Sequence, residues 1–373
     1  MNPLKPAERF LRRRFLALTD RPFAGDLVNE PRDALALGPS PRMLLLRPDR
    51  IGDVLVSTPV IRTLRQQFPQ AQIDILLSRT NYGVQPALAR YIDHAWRYDK
   101  SFVGGLRLAR SVRRQRYDVV IDLIDNPSTS AQLIAMLSRA RFRVGIRHER
   151  SAHYTHAVPL LDRQTVHIVE RIAQLLLPFG IDPRRIPLDL EYPLSDTDRS
   201  QARSRIGPGR GQPLLIVNIS GGGKGLSPAR YWGRDNFVEF LRWVRGREPR
   251  FEILIGGAPD DMAEVQSIAN ATEAGVIPAS PSFHEFAAMV HEADVLLTPD
   301  TSVLHLGAAW KIPTIALFHA PSGAPLPWYP YRSPYRALLH ADGVARIPVA
   351  PVQEAFTSLL AERLPSTAPA PER

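Results

Sequence analysis

The sequence predicts an α/β protein built from two doubly wound, Rossmann-like domains with parallel sheets. Its 373 residues are 44% hydrophobic, so the chain can bury two cores, because a domain takes roughly 150 residues. Short apolar segments alternate with longer amphipathic segments, first over 43–139 and again over 214–318. Strands that alternate with helices are typical of parallel sheets, in which a crossover helix joins successive strands.

In the first half the alternation begins with an apolar strand and ends with a helix. The predicted elements are strand 43–47, helix 54–67, strand 72–77, helix 84–90, strand 117–123 and helix 128–139. This order predicts a parallel sheet with helices packed on both of its faces.

The second half resumes the same order after an interruption. The predicted elements are strand 214–219, helix 235–245, strand 251–256, helix 259–270, helix 283–292, strand 294–298, helix 303–310 and strand 314–318. A second doubly wound domain is therefore expected.

Proline and glycine place the domain boundary. Pro183, Pro187, Pro193 and the Gly/Pro cluster at 207–213 interrupt the periodicity and favour turns. The predicted organisation is a basic N-terminal extension at 1–41, an N-terminal domain at 42–190, a linker at 191–212, a C-terminal domain at 213–364 and a disordered tail at 365–373.

The extension mixes cations with apolar side chains. Arg9 and Arg12–Arg14 interleave with Phe10, Leu11 and Phe15. Two interpretations remain open: a helix that rests on a membrane surface, or a solvated segment that lies across the protein's own surface.

Composition excludes several kinds of chemistry. The chain has no cysteine, which excludes disulfides, cysteine-bound metal centres and thiol nucleophiles. Basic residues outnumber acidic residues 47 to 37, and the net charge of +10 predicts anionic partners. No apolar run approaches the ~20 residues of a membrane span, and no signal peptide begins the chain, so the expected compartment is the cytoplasm. No module of interleaved basic and aromatic residues predicts nucleic-acid binding.

The loop after the first strand carries the first candidate site. Ligands of open parallel sheets bind at the carboxyl ends of the strands. Here Arg47 and Arg50 flank a segment that includes Gly52 and Asp53. Asp53 falls at the start of a helix, where a carboxylate either caps the helix or acts as a base toward a ligand. The two arginines would keep the carboxylate ionised and attract an anionic substrate.

Two glycine-rich loops of the second half suit a phosphate group. The loop 218–225 contains Ser220, Gly221 and Lys224, although its spacing matches neither a P-loop nor a dinucleotide fingerprint, and a flexible loop is the alternative. Gly256 and Gly257 follow the next strand, where they permit close approach of a ligand or form a compact strand-to-helix turn.

A third loop concentrates four polar groups at the end of strand 294–298. Asp300, Thr301 and Ser302 lie at the start of a helix, and His305 lies one turn further along. Hydroxyls, helix N-terminal amides and an imidazole predict a pocket for a diphosphate. The alternative is an ordinary helix cap beside a histidine of the core.

These segments, taken in order, resemble glycosyltransferase family 9, the ADP-heptose:lipopolysaccharide heptosyltransferases. The matching pieces span most of 42–330 and include Arg47…Ile51-Gly52-Asp53…Thr58-Pro59…Leu64…Phe68-Pro69-Gln70-Ala71, Tyr117-Asp118-Val119-Val120-Ile121-Asp122, Gly256-Gly257 and Asp294…Asp300-Thr301-Ser302…His305-Leu306-Gly307-Ala308-Ala309…Pro313-Thr314. The resemblance implies the GT-B architecture, in which two Rossmann-like domains face a cleft. It also implies that the N-terminal domain binds the acceptor and the C-terminal domain binds the nucleotide-sugar.

The resemblance further implies an inverting, metal-independent transfer with Asp53 as the general base. No cofactor is implied beyond the nucleotide-sugar donor, ADP-heptose. The implied donor-binding residues are Ser220, Gly221, Lys224, Arg230, Gly256, Gly257, Asp300, Thr301, Ser302 and His305. Two positions depart from the family pattern: Ser302 stands where a glycine is usual, and Arg230 stands where a lysine precedes the tryptophan, here Trp232.

The acceptor implied by the resemblance is an acidic, lipid-linked envelope glycan such as the lipopolysaccharide core. The residues expected to contact it are Arg47, Arg50, Gly52, Arg79, Arg143 and Arg147. Contact with the cytoplasmic face of the inner membrane follows from such an acceptor. Two alternatives stay open: a nucleotide-sugar epimerase of the same architecture, and a noncatalytic nucleotide- or glycan-binding relative.

Overall fold

The computed structural model describes residues 23–31, 34–99, 102–126, 128–149, 151–207, 211–221, 226–227, 229–322 and 327–363. The chain divides into two compact units, and the division falls between Asp189 and Leu190. The predicted N-terminal helix and the predicted C-terminal tail lie outside the described residues.

Unit 1 contains a seven-stranded, wholly parallel sheet. Its strands are β1 (Asp26–Leu27), β2 (Arg42–Leu46), β3 (Gln72–Ser78), β4 (His94–Tyr98), β5 (Val119–Asp122), β6 (Phe142–Ile146) and β7 (His156–Val158). The order across the sheet is β1-β7-β6-β5-β2-β3-β4. From β2 the chain first winds outward through β3 and β4, then returns to β5 and winds the other way. The switch point, where such sheets bind ligands, is therefore between β2 and β5.

The α-helices of unit 1 connect these strands. They are α1 (Ile51–Leu55), α2 (Thr58–Gln67), α3 (Gln85–Leu88), α4 (Phe102–Gln115), α5 (Thr129–Ser138) and α6 (Ile168–Ala173), with 3₁₀ turns at Tyr82–Val84, Gln174–Phe179 and Pro183–Arg185. The predicted helix 54–67 is broken at Ser57, because Pro59 fits only the first turn of a new helix. The remaining boundaries of the predicted elements in this half shift by a few residues.

Unit 2 contains a six-stranded parallel sheet of the same winding. Its strands are β8 (Leu214–Asn218), β9 (Glu252–Gly256), β10 (Gly275–Val276), β11 (Val295–Pro299), β12 (Thr314–His319) and β13 (Tyr335–His340), in the order β10-β9-β8-β11-β12-β13. Its α-helices are α7 (Asp196–Ile206), α8 (Arg234–Arg247), α9 (Met262–Thr272), α10 (Phe283–Val290), α11 (Ser302–Trp310) and α12 (Val349–Arg363), with 3₁₀ turns at Pro259–Asp261 and Val344–Arg346. The switch point lies between β8 and β11.

Each sheet is sandwiched between helices. In unit 1, side chains of α4 and α5 share an apolar cluster with alternate residues of β2, such as Leu44 and Leu46. In unit 2, Trp232 and the α8 aromatics Phe237 and Phe240 pack on one sheet face, while α7, α10 and α11 cover the other. The sheets therefore present only their strand ends to ligands.

The segment predicted as a linker, 191–212, is built differently. It carries helix α7, which Ser195 caps by accepting a hydrogen bond from the Asp198 amide at 3.1 Å. Ala202 and Ile206 of this helix join the core of unit 2. Strong capping and two apolar contacts outweigh the turn-forming glycines that follow the helix.

Candidate functional site

The switch point of unit 1 is organised around a buried arginine. The side chain of Arg47 is 1% exposed. Its Nε donates to the Asp53 carbonyl at 2.8 Å and its Nη1 to the Leu123 carbonyl at 2.5 Å, which ties the end of β2 to the end of β5. These acceptors offset part of the cost of burying the guanidinium, because each unpaired donor costs about 1–3 kcal/mol. Nη2 has no hydrogen-bond partner among the described residues. Arg47 is thus part of the scaffold of the site.

Asp53 lies at the third position of α1, at the carboxyl edge of the sheet. Its Oδ2 accepts a hydrogen bond from the Arg50 amide at 3.1 Å, and its Oδ1 lies 3.9 Å from Arg47 Nη2. The carboxylate therefore caps the first turn, as one of the two predictions had it, and its side chain remains 17% exposed. One oxygen near solvent is what a proton acceptor requires.

The carboxyls of Asp49 and Asp122 also lie near Arg47. Asp49 Oδ2 lies 3.1 Å from Arg47 Nη1. Burial raises the pKa of Asp49 to about 6 against the opposing effect of Arg47. Burial also raises the pKa of Asp122 to about 7, although its carboxyl accepts hydrogen bonds from the Tyr154 hydroxyl at 2.7 Å and the Ile124 amide at 3.1 Å. The site therefore holds groups that titrate near neutral pH.

The arginines predicted to meet an acceptor fall into two groups. Arg50, Arg79 and Arg147 are exposed, Arg79 after β3 and Arg147 after β6. Arg143 is half-buried inside β6 and donates to the carbonyls of His153 at 2.6 Å and Ala140 at 2.9 Å. The Arg143 guanidinium is therefore bound to backbone carbonyls, as the Arg47 guanidinium is. Gly52, the remaining residue of this set, lies within α1.

A second arginine cluster lies at the same edge of the sheet. Asp125, three residues beyond β5, has its Oδ2 3.3 Å from Arg163 Nε and 3.2 Å from Arg171 Nη2. The Nε and Nη1 atoms of Arg171 are buried and lack a hydrogen-bond partner among the described residues. The Asp162 carboxylate also acts electrostatically on Arg171, so two guanidiniums and two carboxylates meet in this cluster.

At the switch point of unit 2, Asn218 joins the loops after β8 and β11. Its Nδ2 donates to Thr298 Oγ1 at 2.9 Å and lies 3.3 Å from Thr301 Oγ1. Thr301 caps α11, since its Oγ1 accepts from the Val303 amide at 3.2 Å. The amides at the start of α11 are thereby fixed in direction toward the sheet edge, where an anion binds best.

Ser220 joins the loops after β8 and β9. Its hydroxyl donates to Asp261 Oδ2 at 2.5 Å and accepts from the Ala258 amide at 2.7 Å. A Cβ at Gly257 would stand 2.9 Å from this hydroxyl, and a Cβ at Gly256 would stand 2.9 Å from an Ile277 methyl group. The two glycines therefore allow these loops to pack closely, and the Ser220 hydroxyl is committed to the protein.

Arg230 lies between the two loops of the unit 2 switch point. Its Nη1 donates to the carbonyls of Gly221 at 3.3 Å and Asp300 at 3.4 Å. A Cβ at Gly221 would stand 2.3 Å from Arg230 Cβ, so only glycine permits this approach. Lys224, the other predicted phosphate ligand, lies outside the described residues.

The start of α11 accommodates the unusual serine. Ser302 is the first residue of the helix and is not among the described residues with positive φ, so its Cβ introduces no backbone strain. His305, one turn along, is 2% exposed and its ring lies 6.0 Å from the Trp328 ring. Asp300 and Thr301 stand at the sheet edge, whereas His305 lies deeper, in the core of unit 2.

Several site residues were not predicted as such from the sequence. These are Asp49, Asp122, Asp125, Asn218 and Asp261. Four of them carry a shared signal, a polar side chain that ends an apolar strand or follows it within three residues, whereas Asp261 stands five residues beyond β9. Arg163 and Arg171 gave no such signal, because they come from a loop and a helix that only the fold brings beside β5.

The described part of the chain has neither a membrane-spanning helix nor a cluster of metal ligands. No helix there is long and apolar enough to cross a membrane. No group of three or more His, Asp or Glu side chains there is arranged to hold a metal ion.

Comparison with known proteins gives consistent matches. The family model described as glycosyltransferase family 9 (heptosyltransferase) matches residues 105–343. Lipopolysaccharide heptosyltransferase 3 of Escherichia coli strain K12 is 27% identical over 290 residues, which cover 72% of this chain and 80% of that protein.

Solved structures show the same fold. The family 9 glycosyl transferase of Veillonella parvula has a TM-score of 0.75 and 22% identity, covering 89% of this chain and all of that one. The Escherichia coli heptosyltransferase WaaC with ADP has a TM-score of 0.68 and 16% identity, covering 85% of this chain and 99% of that one. The GT-B class expected from the sequence is thereby confirmed.

Proposed function

The chain belongs to glycosyltransferase family 9, the heptosyltransferases, and on that premise we propose that it transfers heptose from ADP-heptose to the lipopolysaccharide core with inversion and without a metal ion. The observation that carries this proposal is the placement of Asp53 at the switch point of unit 1: its carboxylate is partly exposed and accepts from the Arg50 amide, and Arg47 holds its backbone carbonyl. The name of the Escherichia coli relative supports the choice of sugar and acceptor.

In the proposed reaction Asp53 takes the proton of the acceptor hydroxyl. The oxygen attacks the anomeric carbon of the heptose, and the bond from that carbon to the diphosphate oxygen breaks. ADP leaves with the bonding electron pair, and the new glycosidic bond has inverted configuration. The hydrogen bond from the Arg50 amide keeps one Asp53 oxygen in place while the other accepts the proton.

The leaving diphosphate gathers negative charge, which unit 2 is proposed to stabilise. The amides at the start of α11, fixed by the Thr301 cap, and the Arg230 guanidinium provide positive groups at the same sheet edge. Arginine presents a planar pair of donors to a phosphate, so it serves in place of the lysine usual in the family. Lys224 would add a second cation.

The acidic groups of the acceptor are proposed to meet the arginines of unit 1. Arg50, Arg79 and Arg147 are exposed at the carboxyl edge, and Arg163 adds a partly exposed guanidinium beside Asp125. Arg143 takes no part in this proposal, because backbone carbonyls hold its guanidinium. We also propose that the enzyme works at the cytoplasmic face of the inner membrane, where such an acceptor resides.

The test is a product analysis. Purified protein is offered a panel of nucleotide-sugars with truncated lipopolysaccharides, and mass spectrometry identifies any product. A mass increase of one heptose, from ADP-heptose only, is expected. No transfer to any acceptor, or release of an altered nucleotide-sugar without acceptor, would refute the proposed function.

A matched pair of variants tests the base. Asp53→Asn keeps an acceptor for the Arg50 amide but removes the basic oxygen, so kcat should fall roughly hundredfold to ten-thousandfold, with donor affinity nearly unchanged. Asp99→Asn, an exposed aspartate of the same unit, should retain full activity. An active Asp53→Asn enzyme would remove this residue from its role.

A further inference from the structure

One outer helix of unit 1 has an apolar face turned to solvent. In α5, Ala131, Ile134 and Ala135 are buried against the sheet. The opposite face carries Leu133, Met136 and Leu137, which are 38%, 38% and 39% exposed. Their spacing of three and four residues places them in one stripe.

This pattern is unusual for a helix that covers a sheet. Such helices normally present charged side chains to water. The sequence of α5, TSAQLIAMLS, contains no charged residue, and the first cation comes after its end, at the exposed Arg139. The apolar stripe is therefore a surface that gains free energy when something covers it.

The neighbouring helix supplies the charge. Leu108 and Val112 of α4 lie in the same buried cluster as the inner face of α5, so the two helices cover the same face of the sheet. Their outer faces consequently point the same way. The exposed cations of α4 are Arg107, Arg110, Arg113 and Arg114, and neither helix contains an acidic residue.

We propose that α4 and α5 form a membrane-docking surface that rests on anionic phospholipids. Leu133, Met136 and Leu137 enter the boundary between head groups and acyl chains, and the arginines of α4, with Arg139, contact the lipid phosphates. A cationic rim around a short apolar stripe is the pattern of interfacial helices. The uniform positive charge favours an acidic bilayer over a second copy of this chain, which would bring like charges together.

This inference deepens the membrane contact of the proposed function, yet its test needs no transferase activity. Loss of vesicle binding would overturn the docking surface only, and loss of heptose transfer would overturn the proposed function only. The two failures are therefore distinguishable.

Vesicle sedimentation of the full chain measures the contact. Wild-type protein should bind phosphatidylglycerol-containing vesicles, bind phosphatidylcholine vesicles weakly, and release as salt rises. Two triple variants should each lower the partition coefficient tenfold or more. Leu133→Gln/Met136→Gln/Leu137→Gln removes the apolar stripe, and Arg107→Gln/Arg110→Gln/Arg114→Gln removes three cations of α4. Arg234→Gln/Arg242→Gln/Arg247→Gln, which removes the same charge from exposed positions of α8, should lower it less than twofold. Equal losses in the two arginine variants would overturn the proposal.

A probe at the stripe identifies what covers it. Because the chain has no cysteine, Met136→Cys can carry a single environment-sensitive dye. Its emission should shift to the blue with anionic vesicles, while a dye at Gln266→Cys in α9 should not respond. Blue-shifted emission without vesicles would show that the stripe is already covered and would overturn the proposal. The cover would be another segment of the same chain if the protein has the mass of a monomer, and a second copy if the mass is doubled. Circular dichroism confirms that the variants fold.

Discussion

Arg47 shows how one residue links the stability of this protein to its chemistry. Its guanidinium joins the ends of β2 and β5 and fixes the backbone of Asp53. The sequence placed Arg47 at the end of predicted strand 43–47 and assigned its guanidinium to an anionic substrate, because a charged side chain at a strand end is normally solvated. Burial follows from the long-range contact with Leu123, which local sequence does not encode.

Replacing this arginine should destabilise unit 1. Arg47→Met should lower the free energy of unfolding by about 3 kcal/mol, because it leaves buried carbonyls and Asp49 without their partner. Arg50→Met, at an exposed position, should change it by less than about 0.5 kcal/mol. Urea titration measures both, and equal values would contradict the structural role of Arg47.

Asp49 and Asp122 give the stability a pH dependence of known sign. The raised pKa values, about 6 and about 7, mean that the folded chain holds protons that the unfolded chain has released. Their contribution is complete below the ordinary carboxyl pKa near 4 and is lost as pH rises through 6 and 7. The free energy of unfolding should therefore fall from pH 5 to pH 8.

Urea titration at the two pH values tests this dependence. Asp122→Asn, which cannot ionise, should show a smaller fall than the wild type. A variant whose free energy of unfolding falls as steeply as that of the wild type would show that Asp122 does not titrate in this range.

At the scale of elements, the loops after β8, β9 and β11 are fastened to one another by side chains. Ser220 connects the first two and Asn218 connects the first to the third. The edge of unit 2 is thus preorganised, which limits the ordering that a nucleotide must induce on binding.

Removing the Ser220 hydroxyl should loosen this edge. Ser220→Ala leaves the Asp261 carboxyl and the Ala258 amide without a partner and should cost about 1–3 kcal/mol of stability. The same substitution should raise the KM for the nucleotide-sugar. Ser200→Ala on the exposed face of α7 is the control, and calorimetry with initial-rate kinetics gives both quantities. An unchanged KM would show that the hydrogen bonds of the Ser220 hydroxyl do not shape the donor site.

The strongly apolar elements were predictable, and the polar ones were not. Strands such as β2, β8 and β12 are buried on both faces, so their continuous apolar runs identify them. By contrast, β4 (HAWRY) lies at a sheet edge and has no continuous apolar run, and α4 contains the adjacent glycines Gly104 and Gly105, which favour a turn although its apolar residues recur at helical spacing; both were missed. Asp53 and Asp300 were found because each follows a recognisable strand, whereas Arg163 depends on contacts distant in sequence.

At the scale of the whole molecule, the proposed mechanism relies on fixed positive groups. The α11 amides and Arg230 belong to the protein itself, so they remain after dialysis. Heptose transfer should keep its rate in excess EDTA, and added magnesium should not raise it. A loss of activity that magnesium restores would contradict a metal-independent reaction.

Arg230→Ala should lower kcat/KM roughly tenfold or more, because it removes one of these fixed positive groups.

The two-residue strand β1 has a consequence for the integrity of unit 1. The Asp26 and Val28 amides donate to carbonyls of Thr155 and Ala157, and a Cβ at Gly25 would stand 2.4 Å from the Thr155 oxygen. This glycine lets the segment lie against β7 and occupy its outer hydrogen-bonding groups. A chain lacking residues 1–28 would leave the outer backbone groups of β7 unpaired. Strands of other molecules could then pair with this exposed edge, so the truncated protein should aggregate when it is concentrated.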